Sequence, residues 1–378
     1  MACATGRTRS RAWTPRPIAS LAGGGGLEFD ALVVATGALP EPWLPGALAF
    51  GGPRDVEDYR VLLAQLEAGT VDHVLFAVPP AASWTLPLYE LALLTTAWIA
   101  DHGVIGAELT FATPEREPLA LLGPSAGRVV RDLLDNRGIH LLTEAQVASL
   151  RHDGATLADG RSIAADRVVT LARLVGSPPS GLPTDADGFV PIDEHGAVVG
   201  LRDVYAVGDV TSFPVKQGSI AAHQADAAAA AIAARLGAAV QPAPFEPIIN
   251  AVLLTGVAAR YLQADLAETE HVTSTVALNP LRWPPEKIAA RYLASYLAEQ
   301  HDLADIPELA QRVPRTSTDA EGEREEQRRL ALRFAHTDAN LGHHRSALRW
   351  LQILEWLDGS LRPEHAELRD RWQRAARP

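Results

Sequence analysis

The chain is poor in the residues that staple, ligate and anchor. Cys3 is the only cysteine in 378 residues. That excludes an intrachain disulfide, a Cys-x-x-Cys redox pair and a cysteine zinc site, and it points to a reducing, cytoplasmic setting. No run reaches the roughly 18 apolar residues of a membrane span; the best candidate, Leu86 to Ala100, is shorter and carries Glu90. Positive charge is also in deficit. Lys and Arg number 34 against 46 Asp and Glu, a net charge of −12. A broad phosphate-backbone surface would work against the field of the whole molecule, so nucleic acid is not an expected partner. Lysine is nearly absent, with Lys216 and Lys287 alone. Among the histidines, His343 and His344 are adjacent and point to different helix faces. With no carboxylate pair at ligand spacing, they and His336 read as solvated and no metal site is expected.

What is present is an ordinary globular balance, 47% hydrophobic and 21% charged, with enough chain for two or three cores. The segment 1–26 reads as a flexible, arginine-rich leader without the apolar centre of a secretory signal. Phe29 to Ala35 is a short β-branched run closed by Thr36-Gly37, hence a buried strand, and Asp58 to Glu67 repeats apolar residues at helical spacing. From Val71 the order is strand to Val78, helix from about Pro87 to Asp101, and strand Ala107 to Thr113. This is a βαβ unit and implies a parallel sheet. A helix over Ser125 to Asn136, a strand Ile139 to Leu142, Asp153-Gly154 and Asp159-Gly160 turns, and a strand over Arg167 to Leu171 add an antiparallel meander. A strand at Val204 to Val210 and an alanine-rich helix, roughly Gln217 to Leu236, come next, then strands near 251–255 and 273–277 and a helix over Pro284 to Gln300. From Asp302 on the pattern is helical, and its 13 basic and 14 acidic residues set it apart from the acidic remainder. In that tail Trp350, Leu351, Leu354 and Leu357 form one apolar stripe, either a packing face or a docking site.

Two motifs carry chemistry. Leu32 to Gly37 reads LVVATG and Val204 to Val210 reads VYAVGDV, with the βαβ block between them. In that order and spacing the chain resembles the FAD-dependent pyridine nucleotide-disulfide oxidoreductases, in particular the branch with type II NADH dehydrogenases and sulfide:quinone reductases. The resemblance covers about residues 27–300 and implies three-layer, Rossmann-like FAD- and NAD(P)-binding domains of the α/β class. It implies a discontinuous FAD domain over 27–70 and 176–240, an inserted NAD(P)-binding-like domain over 71–175, an interface region over 241–300 and a helical tail over 301–378.

The resemblance also implies roles for residues. Ala35, Thr36 and Gly37 form a turn of small residues beside the cofactor. Gly208, Asp209 and Val210 end a strand, with the Asp209 carboxylate accepting from ribitol hydroxyls; its plain alternative is a helix cap. Lys216, Gln217 and Gly218 open the helix whose positive end faces the flavin pyrimidine edge. Glu90, in Tyr89-Glu90-Leu91-Ala92, is the acid at the reactive edge, expected to pair with Lys216. Glu90 and Lys216 are thus the catalytic candidates.

The chain departs from that family in three ways. Before Leu27 there is only a Gly23 to Gly26 run where the family has a strand, Gly-x-Gly-x-x-Gly and a helix, so the FAD domain is expected to be incomplete and N-terminally truncated. After Val78 the loop reads Pro79-Pro80-Ala81-Ala82-Ser83-Trp84, and its acid candidate, Glu115, lies too far along for a dinucleotide fingerprint, so NAD(P)H is weakly supported. Redox cysteines are missing. The expected function is FAD-dependent electron transfer between a small-molecule donor and acceptor, linked to NAD(P)H or quinone. The alternative is a non-catalytic scaffold that has lost FAD and acts through the tail, 301–378, as a protein-docking module. The helix over 284–300, with Lys287, is the candidate contact with a membrane surface or a second copy.

Overall fold

A computed structural model describes residues 29–267 without a break, together with 19–20, 26–27, 272, 274–278, 281, 288, single positions between 332 and 354, and 360–375. Within the expected leader, β1 (Ala19–Ser20) and β2 (Gly26–Leu27) form an antiparallel pair. The first chemistry-bearing strand is β3 (Leu32–Val34), followed by β4 (Ala38–Glu41) and β5 (Leu48–Phe50).

A five-stranded parallel sheet organises the middle of the chain. Its members are β5, β6 (His73–Ala77), β7 (Glu108–Ala112), β8 (His140–Leu142) and β12 (Arg167–Leu171), in the order β5-β12-β6-β7-β8. β6 lies between two neighbours and under both layers. That is why His73–Ala77 reads as an unbroken apolar run after its first residue and is buried there. Helices α1 (Val56–Glu67), α2 (Leu86–Asp101) and α3 (Gly123–Asn136) cover one face, where Leu62, Phe76, Tyr89, Phe111 and Val130 share a core. The other face is covered by the meander β9 (Val147–Arg151), β10 (Gly154–Leu157) and β11 (Ser162–Ala164), packed through Leu75, Ala112, Val147, Ala155 and Val168. The Tyr59 hydroxyl and Thr95 Oγ1 are 2.6 Å apart and tie α1 to α2. Burial pushes the Tyr59 phenol up to about 12, with the Thr95 hydrogen bond opposing it.

The boundary between units differs from the expectation that residues 27–70 stay with the first strand. β5 pairs with β12, and α1 packs beside α2, so residues 48–67 lie with the parallel sheet rather than with β3. The chain returns through β13 (Arg173–Gly176), which pairs antiparallel with β4 as a two-stranded ribbon. No periodicity marks this ribbon, because Ala38–Glu41 contains a proline and only four residues. Gly176 meets the backbone of Gly188 so closely that a Cβ would run into the Gly188 carbonyl oxygen. Backbone cannot yield as a side-chain tip can. Gly176→Ala is therefore expected to cost about 1–3 kcal/mol by overpacking, read as a lower denaturant midpoint at unchanged slope.

The second unit is smaller. β14 (Val204–Ala206) pairs in parallel with β3, and α4 (Gly218–Arg235) follows. β15 (Ile248–Leu253), β16 (Arg260–Asp265) and β17 (Ser274–Ala277) form an antiparallel sheet near α2, α3 and α4. β16 was not expected. Its RYLQAD sequence has no β-branched residue, and it becomes a strand by pairing on both sides. In the tail, the described positions from 332 to 354 are helical and α5 (Pro363–Ala375) follows. Leu351 and Leu354 are buried with Trp372, so this part of the apolar stripe is a packing face; Trp350 and Leu357 lie outside the described residues. The helix expected over 284–300, Lys287 included, also lies outside them except for Ile288. Among the described residues no helix is long and apolar enough to cross a membrane.

Candidate functional site

The parallel pairing of β3 with β14 brings the two motifs together. Val34 is the partner of Ala206, and the Val207 N–H donates to the Val34 carbonyl oxygen at 3.0 Å. Both turns therefore leave the same, carboxyl end of the strand pair. Gly37 has φ +74°, and a Cβ there would meet nothing within 4 Å, so open space lies beside the turn. Ala35 and Thr36 are exposed. Gly208 has φ +76°, which lets β14 turn sharply into Asp209, and its N–H is held by Gln224 Oε1 at 2.7 Å. Val210 is fully buried, and its carbonyl oxygen accepts the Val190 N–H.

Asp209 and Lys216 are the charged pair of this end. Burial raises the Asp209 carboxyl above its ordinary value, and the attraction of Lys216 opposes that. Burial likewise lowers the Lys216 amine to about 8, against the attraction of Asp209 and Asp185. Desolvation outweighs mutual attraction at both partners, as expected when two charges feel each other without closing an ion pair. The Lys216 ammonium donates to the Thr211 carbonyl oxygen and stands 3.7 Å from the centre of the Phe189 ring.

Gln217 and Gly218 serve packing at the start of α4. Gln217 is its N-cap: Oε1 accepts the N–H groups of Ser219 and Ile220 at 2.7 and 3.3 Å, while Nε2 donates to the Asn250 carbonyl oxygen. Two of the N–H groups expected to face a ligand are thus satisfied by the helix's own cap. At Gly218 a Cβ would lie 2.5 Å from Ile288 Cδ1.

Glu90 and Lys216 take different partners. Glu90 is buried in α2, and its Oε1 accepts the Leu254 N–H at 2.9 Å, which fastens α2 to the end of β15. Glu115 stands just beyond β7, where its Oε2 accepts from the Tyr89 hydroxyl at 2.8 Å and from Thr113 Oγ1 at 2.9 Å. Its Oε1 accepts the Ala120 N–H at 3.0 Å. Burial holds this carboxyl above the usual range, and those hydrogen bonds pull it back.

Beside the pair lies a cleft of about 480 Å³ at the carboxyl ends of β5, β6 and β12. Phe50, Trp84, Phe189, Phe213 and Lys216 line it. The sequence placed Trp84 only in the loop after Val78 and singled out neither Phe189 nor Phe213. The only sequence signal was the Asp185-x-Asp187-x-Phe189 pattern, in which Asp185 Oδ1 accepts the N–H groups of Asp187 and Phe189. In the tail His336 is exposed and meets Trp372 edge-on, His344 is half-buried, and no group of ligating side chains among the described residues could hold a metal ion.

Comparison with known proteins places this arrangement. Residues 92–232 match the family model described as pyridine nucleotide-disulphide oxidoreductase, a span that includes Asp209 and Lys216 but not Thr36 or Glu90. An NADH dehydrogenase-like protein of Mycobacterium tuberculosis is 27% identical over 215 residues, 50% of each chain. The ferredoxin reductase component of a chlorobenzene dioxygenase from Cupriavidus sp. is 29% identical over 260 residues, 59% of this chain and 55% of that one. The chain thus spans about half the length of these relatives. In fold it is similar to the sulfide:quinone oxidoreductase of Aquifex aeolicus, with TM-score 0.62 at 18% identity, over 81% of this chain and 74% of that one.

Proposed function

We propose, from the match of residues 92–232 to the pyridine nucleotide-disulphide oxidoreductase family model, that this chain is an FAD-dependent oxidoreductase passing electrons between a small-molecule donor and an acceptor. The observation that carries this reading is the β3–β14 pair, which sets Thr36-Gly37 and Gly208-Asp209 side by side at one strand end. The reductase names of two relatives support it at a coarse level.

The residues present fit the ribitol and ring end of a flavin. Among the described residues Asp209 has no side-chain hydrogen bond, so its half-buried carboxylate can accept from ligand hydroxyls. Gly37 leaves room for a ring system to approach the backbone. Lys216 adds positive charge on the same side, held in place by Thr211 and Phe189. A bound FAD would supply the hydride and electron transfer, which no side chain here can perform alone. Glu90 acts through position: it fastens α2, and with α2 the Pro79 to Trp84 loop, against β15.

A nicotinamide dinucleotide fits less well. Pro79 and Pro80 offer no N–H, and the Ala82 N–H is given to the Pro79 carbonyl oxygen at 3.3 Å. Glu115, the acid candidate of that loop, already accepts on both oxygens from Tyr89, Thr113 and Ala120. The scaffold reading loses part of its docking surface, because Leu351 and Leu354 are buried against Trp372.

A visible spectrum of the purified chain before and after addition of FAD tests the reading. A bound flavin band near one per chain is expected. A folded, colourless protein that takes up no FAD would overturn it.

A further inference from the structure

The cleft at the carboxyl ends of β5, β6 and β12 sits where α/β sheets admit ligands, yet its polar equipment is not that of a phosphate site. Pro79, Pro80 and Ala82 offer it no free N–H. The Gly51 and Gly52 N–H groups, also on its wall, are both taken by Asp55 Oδ2 at 2.7 and 3.0 Å. Arg173 on the rim is held by Asp187 at 2.7 Å. The rest of its character comes from the aromatic surface of Phe50, Trp84, Phe189 and Phe213, the Asp185 and Asp187 carboxylates, and one amine, Lys216, whose residue is 8% exposed.

We propose that this cleft binds a small aromatic aldehyde or ketone that carries no phosphate, and that the Lys216 amine condenses with its carbonyl carbon. Aromatic walls take the ring, and the Asp185 and Asp187 carboxylates on the lining, with Arg173 already paired to Asp187, disfavour a phosphoryl group. The step balances without an oxidant. The ammonium first gives a proton to water, and the nitrogen lone pair then attacks the carbonyl carbon. A C–N bond forms, the proton returns from water to the carbinolamine hydroxyl, the C–O bond breaks as the oxygen leaves as water, and a protonated imine remains. Burial prepares the amine: with its pKa lowered to about 8, roughly a tenth of it is neutral at pH 7. The groups facing Lys216 are Asp209 and Asp185, which attract its charged form, and the Phe189 ring and Thr211 carbonyl, which hold it in place. The proposal rests on the cleft and on Lys216 rather than on bound flavin.

Lys287, the only other lysine, provides an internal reference. The full chain, without added flavin, is treated with pyridoxal or with pyridoxal 5′-phosphate, which differ by one phosphate, and reduced with cyanoborohydride. Peptide mass spectrometry then gives the Lys216 to Lys287 labelling ratio. With pyridoxal the ratio should exceed about fivefold, and with the phosphate it should fall by a similar factor, as a desolvated amine in an aromatic cleft requires. Phe213→Ala should lower Lys216 labelling and leave Lys287 unchanged. Equal labelling of the two lysines, or a ratio as high with the phosphate as without it, would overturn the proposal. Failure to take up FAD would leave both ratios unaffected, so the two readings fail separately.

Discussion

Asp209→Asn is expected to weaken FAD binding to the full chain by roughly ten- to a hundredfold, the loss of about 1.5–3 kcal/mol that a hydrogen bond to a charged group carries. The same substitution should leave the apoprotein at least as stable. Burial holds the Asp209 carboxyl above its ordinary value, so the folded chain keeps this proton to higher pH than the unfolded chain. Stability therefore falls as pH rises from the ordinary carboxylate range through that raised value, and at neutral pH the ionised group is a cost that asparagine does not carry. Lys216 offsets part of this cost, and an unpaired Lys216 limits how much the substitution can gain. A flavin titration followed by absorbance, paired with a thermal melt of the apoprotein, separates the two effects. Unchanged affinity would remove Asp209 from the site, whereas a lower melting temperature would recast it as a structural cap.

Phe111→Ala should cost about 3–5 kcal/mol of unfolding free energy, the range for truncating a large buried aromatic. Phe111 is fully buried on β7, stacked on Tyr89 with ring centres 4.2 Å apart and on Phe76 at 6.3 Å. The cavity would open at the centre of the core between the parallel sheet and α2, with fully buried strand residues behind it. Collapse is limited there, because strand backbones cannot close a gap without breaking the ladder. Loosening Tyr89 also frees its hydroxyl from Glu115, so the turn after β7 should exchange its amide protons faster. Urea denaturation measures the first effect and hydrogen exchange the second. A loss under about 1.5 kcal/mol would mean that the core repacks around the gap.

Much of the inserted unit was legible because each element carried its own period. The buried run at 73–77, the apolar helix before Asp101 and the two Asp-Gly turns are local patterns, and the strand over 167–171 lies where the sequence reading placed it. The elements that escaped reading are held by partners far along the chain. β5 exists because Leu48–Phe50 lies beside Val169–Leu171, and β16 because it is clamped between β15 and β17. Glu90 and Lys216 show the same limit at the level of side chains. A shared neighbourhood suggested a pair, but Glu90 met an amide N–H near β15, and Lys216 met a carbonyl oxygen and a ring on its own side.

By itself the sequence determined the α/β class, the two strand-end turns at Thr36-Gly37 and Gly208-Asp209, and the absence of cysteine chemistry, because these follow from residue type and local spacing. Only the tertiary structure decided that Gln217 caps its own helix, that Glu115 is spent on Tyr89, and that Phe189 and Trp84 share a cleft with Lys216. The cleft depends on which distant groups can reach one another once the strands are paired, since Trp84 stands more than a hundred residues before Phe189 and Lys216. Burial then sets the charge each group prefers, which no local pattern encodes.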